Sequence, residues 1–202
     1  MRITVLGAGG GTGSKIVELA REAGHEVTAI VRTRNGRDAV ADVMDPDSIG
    51  PHLAGADAVV SAIGARSVRK PTSVQTDSTK ALVVAMKAHG VRRLVVVSNS
   101  GMITDGDDAL TRYLVKPILR RVLRHPWGDM ARMEDVVRAS GLEWTIARPP
   151  RLTDGPRTDT FRTAVDTTVR GGSTVSRADL AALVLRCLAD PGTAGKAISL
   201  AY

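Results

Sequence analysis

The sequence predicts an α/β fold, a single domain over residues 1–202 built on one doubly wound, mostly parallel sheet. Three observations predict it. Short β-branched and aliphatic runs recur along the chain, stretches with helical spacing of apolar residues separate them, and a glycine cluster marks the first change from one to the other.

The first run, Ile3 to Leu6, ends at glycine and reads as a buried strand. Ile16, Val17, Leu19, Ala20 and Ala23 then recur near helical spacing, so Ser14 to Ala23 reads as an amphipathic helix. Between them lies VLGAGGGTGSK. The pattern G-x-G-x-x-G fails there, because its third glycine would be Thr12 counted from Gly7 and Ser14 counted from Gly9. The pattern G-x-x-G-x-x-G fits Gly7, Gly10 and Gly13. Gly7 would make the tight turn, Gly10 would admit a phosphate, and Gly13 would let helix and strand pack closely. Gly11 lies inside the same turn, and Thr12 could add a hydroxyl to the phosphates. The first amides of a helix lack internal partners and carry the positive end of its dipole, so a Rossmann-type dinucleotide site is expected here.

Further strands are expected at Val27 to Val31, Ala39 to Val43, Ala58 to Ala62, Leu94 to Val97 and Trp144 to Ala147. Helices are expected at Ser48 to Leu53, Val74 to His89, Leu110 to Leu123, Met130 to Ala139 and Ala178 to Leu188. Gly24, Gly90 and Gly141 follow helical patterns as left-handed C-caps, and Asp129 and Ser176 stand as N-caps. The polar, glycine-rich segment from Thr153 to Thr174 is either a substrate loop over the sheet edge or an irregular connection.

The second strand ends at Val31 and is followed by Arg32, Arg34 and Arg37, with no acid before Asp38. An acid there would take a ribose 2′-hydroxyl, whereas arginine accommodates a 2′-phosphate, so the expected cofactor is NADP(H), with Arg32 the best placed. The fifth strand changes from valine to Ser98, Asn99 and Ser100 at its carboxyl end, where open α/β sheets hold their ligands.

Net charge is +7 and the isoelectric point about 10.2, values that suit nucleic acid, but arginine is spread along the chain. Aromatic residues are only 2% of the chain, too few for base-stacking platforms, so no nucleic-acid partner is expected. An anionic dinucleotide and an acidic substrate account for the basic residues equally well. A first strand beginning within the first few residues leaves no room for a signal peptide, and no apolar run reaches membrane-spanning length. The expectation is a cytoplasmic protein with no membrane partner, a monomer or weak homodimer. Cys187, the single cysteine, lies in an apolar helical run and reads as a buried thiol. His25, His52, His89 and His125 show no ligand spacing, so no metal is expected; His125, near Trp127, is a candidate proton shuttle. Arg112, Lys116, Arg120 and Arg124 would form a basic stripe on a helix kinked by Pro117, either solvated or facing substrate carboxylates or an acidic partner.

The stretches VLGAGGGTGSKIVELAREAGHEVTAIVR, ADV, IGAR, VVAMKAHGVRRLVVVSNS, ASGLEWTIARPPRL and ADLAALVLRCL resemble the atypical short-chain dehydrogenase/reductase family, and within it the flavin reductases also known as biliverdin IXβ reductases. The resemblance covers nearly the whole chain. It implies adenine contacts at Asp42 and Val43, a turn along the cofactor from Ala62 through Gly64 and Arg66, Ser98 beside the cofactor, and Pro149 next to the nicotinamide, with Pro150 completing that turn. Ser100 matches the position whose hydroxyl faces the nicotinamide and the group being reduced. The Tyr-x-x-x-Lys proton donor of ordinary short-chain dehydrogenases is absent, since Tyr113 is followed four positions later by Pro117 and Lys116 comes one residue too early. The family therefore implies an NADPH-dependent reductase of a small conjugated acceptor, such as flavin or a biliverdin-like tetrapyrrole, that can draw its proton from solvent. The alternative is a non-enzymatic NADP-binding redox sensor like the NmrA-like regulators.

Overall fold

The computed structural model describes residues 1–33, 38–65, 67, 70–105, 113–114 and 116–202. Its strands are β1 (Arg2–Leu6), β2 (Glu26–Val31), β3 (Ala39–Val40), β4 (Ala58–Ser61), β5 (Arg93–Val97), β6 (Glu143–Arg148), β7 (Arg151–Thr153), β8 (Arg162–Val165), β9 (Thr174–Ser176) and β10 (Lys196–Ala201). The helices are α1 (Gly11–Glu22), α2 (Pro46–Ile49), α3 (Val74–Ala88), α4 (Lys116–Val122), α5 (Arg124–Arg138) and α6 (Arg177–Ala189). Eight strands form one sheet in the order β3-β2-β1-β4-β5-β6-β10-β8, parallel except for β8, which runs antiparallel to β10. The six strands from β3 to β6 reproduce the doubly wound order, with its reversal between β1 and β4. A separate parallel pair joins β7 and β9.

Alternation along the strands divides the core between the two faces. Ile3, Val5, Val60, Val95 and Ala147 pack beneath α1 and α6 with Ile16, Leu180 and Val184. Leu6, Val59, Leu94, Val96 and Ile146 face the other way, onto Leu82, Met86, Met133 and Val137 of α3 and α5. Polar residues continue the same alternation. Arg93, only 8% exposed, points to the α6 side and donates to the Cys187 carbonyl (2.5 Å), Thr145 Oγ1 (2.9 Å) and Thr193 Oγ1 (2.8 Å). Burial pushes the neighbouring Cys187 thiol up to about 11, which suits an inert core residue rather than a nucleophile.

The expected glycine C-caps are present: Gly24, Gly90 and Gly141 take φ of +78°, +70° and +72°. Ser176 is the N-cap of α6 and accepts from the Asp179 amide at 3.0 Å. Asp129 departs from its expected role. Helix α5 begins at Arg124, because Pro126 sits in a first turn where its missing N–H costs nothing, so Asp129 lies inside the helix and is fully buried. Its carboxylate caps a different helix, accepting from the amides of Gln75 (2.9 Å) and Thr76 (3.1 Å) and from Thr76 Oγ1 (2.5 Å). The Ser73 side chain makes no cap bond to α3, so Asp129 serves in its place from across the interface.

Other expectations need correction. Of the helix expected from Leu110 to Leu123, the structure describes α4 from Lys116, with Pro117 within it; residues 110–112 and 115 lie outside the described residues, and so does the test of a kink. Lys116 is buried and its ammonium donates to the Ile103 carbonyl, so it does not join Arg120 and Arg124 in a solvated stripe. Arg112 lies outside the described residues. The segment from 153 to 174 carries β8, whose exposed residues hid it as a polar stretch, and the ends of β7 and β9. Strand β10 extends the sheet beyond β6, with β8 at the edge, and was not expected. No helix among the described residues is long and apolar enough to cross a membrane.

Replacing Asp129 with alanine leaves two buried helix amides without acceptors, and should lower stability by about 2–4 kcal/mol in urea unfolding. A loss below about 0.5 kcal/mol would show that α3 does not depend on this cap.

Candidate functional site

Strand β1 hands over to α1 through backbone contacts that allow almost no side chains. Gly7 has φ of +77°, and a Cβ placed on it would lie 2.7 Å from the Ala62 carbonyl oxygen. A Cβ on Gly13 would fall on the Gly7 carbonyl. These two glycines therefore press the first turn of α1 against the ends of β1 and β4. Gly10 differs, since a Cβ there would meet only the Gly7 oxygen, at 3.3 Å, and its outer side is open. It is the N-cap of α1 in extended conformation and provides no side-chain cap, and no acidic residue occupies the first turn. The amides of Gly11, Thr12 and Gly13 thus point outward as donors beside the positive end of the helix.

From this turn a cleft of about 1120 Å³ runs over the carboxyl ends of β1, β2 and β4. Gly7, Gly10, Arg32, Asp42, Val43, Ala62 and Gly64 line it, all of them expected from the sequence. Thr33, Ile63, Lys70 and Thr72 line it as well and were not expected. Arg32, exposed at the end of β2, and exposed Lys70 both line the cleft and give it positive character. Asp42 is shaped for packing: its Oδ1 accepts from the Met44 amide at 2.9 Å, and its own amide donates to Ser48 Oγ at 2.9 Å. Gly64 has open space around it, since a Cβ there would meet nothing within 4 Å. Arg34, Arg37 and Arg66 lie outside the described residues. The volume exceeds the ~300–1,000 Å³ of ordinary small-ligand pockets, and the bare first-turn amides suit phosphate, so these residues fit a dinucleotide.

Ser98, Ser100 and Pro149 do not line that cleft. They lie farther along the same sheet edge, at the carboxyl ends of β5 and β6, where the Ser100 amide donates to the Pro149 carbonyl at 2.9 Å. The two serines have separate environments. Ser98 follows Leu94 and Val96 on the α5 side, is 4% exposed, and donates its hydroxyl to Glu134 Oε1 at 2.7 Å. That commitment corrects its expected role: Ser98 supports the site from within. The Ser100 hydroxyl makes no hydrogen bond among the described residues. Asn99 Oδ1 accepts from the Gly101 amide at 2.7 Å, and the Trp127 ring closes on Gly101, which fixes the turn that carries Ser100. His125 begins the same helix as Trp127 and accepts from Arg124 Nε at 3.2 Å.

Below this turn lies a buried ionic cluster that the sequence did not announce. Glu134 Oε1 accepts from Ser98 and from Arg148 Nε (3.0 Å), while Oε2 accepts from Arg148 Nη2 and from Arg138 Nη2 (2.9 Å). Burial pushes the Glu134 carboxyl up, but hydrogen bonds from Arg148 and Ser98 outweigh it and hold the carboxyl below its usual range. The cluster joins α5 to the ends of β5 and β6, one residue before Pro149. The sequence signal was an arginine following the buried run Thr145, Ile146 and Ala147 at the end of β6.

The family described as NAD(P)H-binding matches residues 7–191 of the chain. The Bacillus subtilis protein YwnB is 28% identical, over 95% of this chain and 93% of its own length. A Burkholderia pseudomallei structure, provisionally named an exported protein, is 30% identical, with full coverage of both chains and a TM-score of 0.83. A Streptococcus pneumoniae structure, provisionally named an NADH-flavin reductase, is 27% identical, covers 100% of this chain and 99% of its own, and has a TM-score of 0.81.

A carboxyl held below its usual value stabilises the fold above the unfolded-state pKa, near 4.3, and loses that contribution as the pH falls through the folded-state value. The stability gap between the native chain and Glu134→Gln should therefore be constant above about pH 5 and shrink below about pH 4. Urea unfolding from pH 3 to 7 measures it. A gap independent of pH would show that Glu134 is not held as a carboxylate.

Proposed function

The chain belongs to the NAD(P)H-binding family, and from that premise we propose that it is an NADPH-dependent reductase that transfers hydride to a small conjugated acceptor, flavin or a biliverdin-like tetrapyrrole. Bound NADPH would supply the hydride. The protein's own residues bind and orient. The glycine turn offers amides to the diphosphate, Arg32 takes the 2′-phosphate, and Asp42 and Val43 shape the adenine end. Pro149 and the Ser98–Glu134–Arg148 cluster fix the far edge, where the nicotinamide would lie.

The observation that carries this reading is the contrast between the two serines. Ser98 is committed inside the protein, whereas the hydroxyl of Ser100, two residues on and held by its backbone to Pro149, bonds to none of the described residues. A hydroxyl so placed can donate to charge developing on an acceptor. A pure NADP sensor has no use for it. Carbonyl chemistry through a tyrosine–lysine pair is disfavoured too, because Tyr113 is 74% exposed and the Lys116 ammonium is turned toward the Ile103 carbonyl. Acceptors that take their proton from solvent fit better. We place the enzyme in the cytoplasm as a monomer or weak homodimer.

Two measurements test the reading. NADPH should bind at least about tenfold more tightly than NADH, since a single arginine–phosphate pair of about 1.4 kcal/mol suffices for that ratio. Arg32→Glu should abolish the preference, and equal affinities in calorimetry of the native chain would remove it from NADP chemistry.

Ser100→Ala should slow NADPH oxidation with flavin or biliverdin by roughly tenfold to a thousandfold at nearly unchanged NADPH affinity. An unaffected rate would reduce Ser100 to a structural role. Tight NADPH binding with no turnover on flavins, tetrapyrroles, quinones or carbonyls would favour the sensor.

A further inference from the structure

Helix α6 begins beside the glycine turn, and its first residue is an arginine. The stem of Arg177 crosses Gly11: a Cβ on that glycine would lie 3.1 Å from Arg177 Nε and 3.3 Å from Cδ. The guanidinium therefore lies in close contact with Gly11, and a side chain there would make the arginine give by a few tenths of an ångström. The course of Arg177 is set by packing. Helices α1 and α6 share one apolar seam through Ile16, Val17, Ala20, Leu180, Leu183 and Val184, which brings their amino ends together.

A guanidinium there has the wrong sign for its surroundings, since it stands in the first turn of α6 and against the first turn of α1, both positive ends. Asp179, buried in the same first turn of α6, offsets part of that charge, and among the described residues Asp154 pairs with the guanidinium directly. Arg177 Nη1 donates to Asp154 Oδ1 at 2.5 Å. The Asp154 side chain is 90% exposed, however, and an exposed pair of this kind contributes little to stability and is readily exchanged. The arginine itself is 28% exposed, so another anion can reach it.

We propose that Arg177 is a binding residue for the dinucleotide diphosphate, reaching it across Gly11, and that Asp154 is a surrogate anion that holds the guanidinium in place until the diphosphate replaces it. The proposal rests on the cofactor reading above and adds to it a side-chain ligand from the opposite end of the sequence. Arg177 is thus independent of Arg32: it serves the diphosphate common to NADH and NADPH, whereas Arg32 serves the phosphate that only NADPH carries. Asp154 competes with the cofactor, so its removal favours binding.

Calorimetric titration of the full chain with NADPH and with NADH tests both assignments. Arg177→Gln is expected to weaken both by about tenfold and leave their ratio unchanged. Asp154→Asn is expected to tighten both by about twofold to fivefold, with the gain shrinking at high salt. Because Asp154→Asn leaves the arginine in place, it decides the matter even where Arg177→Gln fails to fold. Unchanged affinity in both variants, or an Arg177→Gln loss confined to NADPH, overturns the assignment while the cofactor reading stands. A native chain that binds neither dinucleotide overturns the cofactor reading and the assignment together.

Discussion

The close approach of Gly7, Gly13 and the end of β4 is the constraint on which the rest depends. A Cβ on Gly7 would stand 2.7 Å from the Ala62 carbonyl, and one on Gly13 would strike Gly7 itself. Both obstructions are backbone, which cannot turn aside as a flexible side chain can. The contact sets where α1 starts, and hence where its uncapped amides point. It also sets the height of α1 over the sheet, which α6 must match to share the Ile16–Leu180 seam. A larger residue at either position would lift the helix, opening the core on one face and misdirecting the donors at the other.

The far end of the sheet edge is held by different means. Where the turn relies on missing side chains, β5, β6 and α5 meet through charge, with Glu134 accepting four hydrogen bonds from Ser98, Arg138 and Arg148. A buried ion pair is weak evidence for stability, because desolvation offsets much of the Coulomb gain. What it supplies here is direction. An apolar contact could slide, but a carboxylate bonded on both oxygens fixes the ends of two strands and the Ser100–Pro149 bond that follows them. Asp129 does the same for α3, fixing one helix to another through a carboxylate that neither helix could satisfy alone.

The parts legible in the sequence are those encoded over short distances. Strands β1, β2, β4, β5 and β6 and the glycine turn each declare themselves within about a dozen residues, through periodicity or through a required absence of side chains. Of the cleft residues, Gly7 and Gly10 were read from that turn and Arg32 from the end of the second strand, whereas Asp42, Val43, Ala62 and Gly64 came from the family resemblance. The failures share the opposite property. Asp129 looked like a local cap because an acid before an apolar run usually is one, yet it acts across 53 and 54 residues of sequence on Thr76 and Gln75. Ser98 looked like its neighbour Ser100, and what separates them is the end of β5 at Val97 and the tight turn that begins at Ser100. Strand β8 lies at an edge with exposed side chains, so its pattern carries little of the alternation that marks a half-buried strand.

The turn at the start of α1 is made of backbone and of residues adjacent to it, which few substitutions can alter without breaking the α1 contact. The chain that follows Pro149 runs through the short β7–β9 pair and the segment between. That segment is tied down by Asp179, which accepts from the amides of Thr158 (2.9 Å) and Asp159 (2.8 Å) and from the Tyr202 hydroxyl (2.7 Å). Its other ties are the pairing of β8 with β10 and the bonds of Thr167 and Thr168 to the Asp105 carbonyl, and the residues between these points are mostly exposed. Exposed residues between fixed points can change at little cost to the fold. Substitution is therefore tolerated between those points and not in the glycine turn, where the obstruction is backbone.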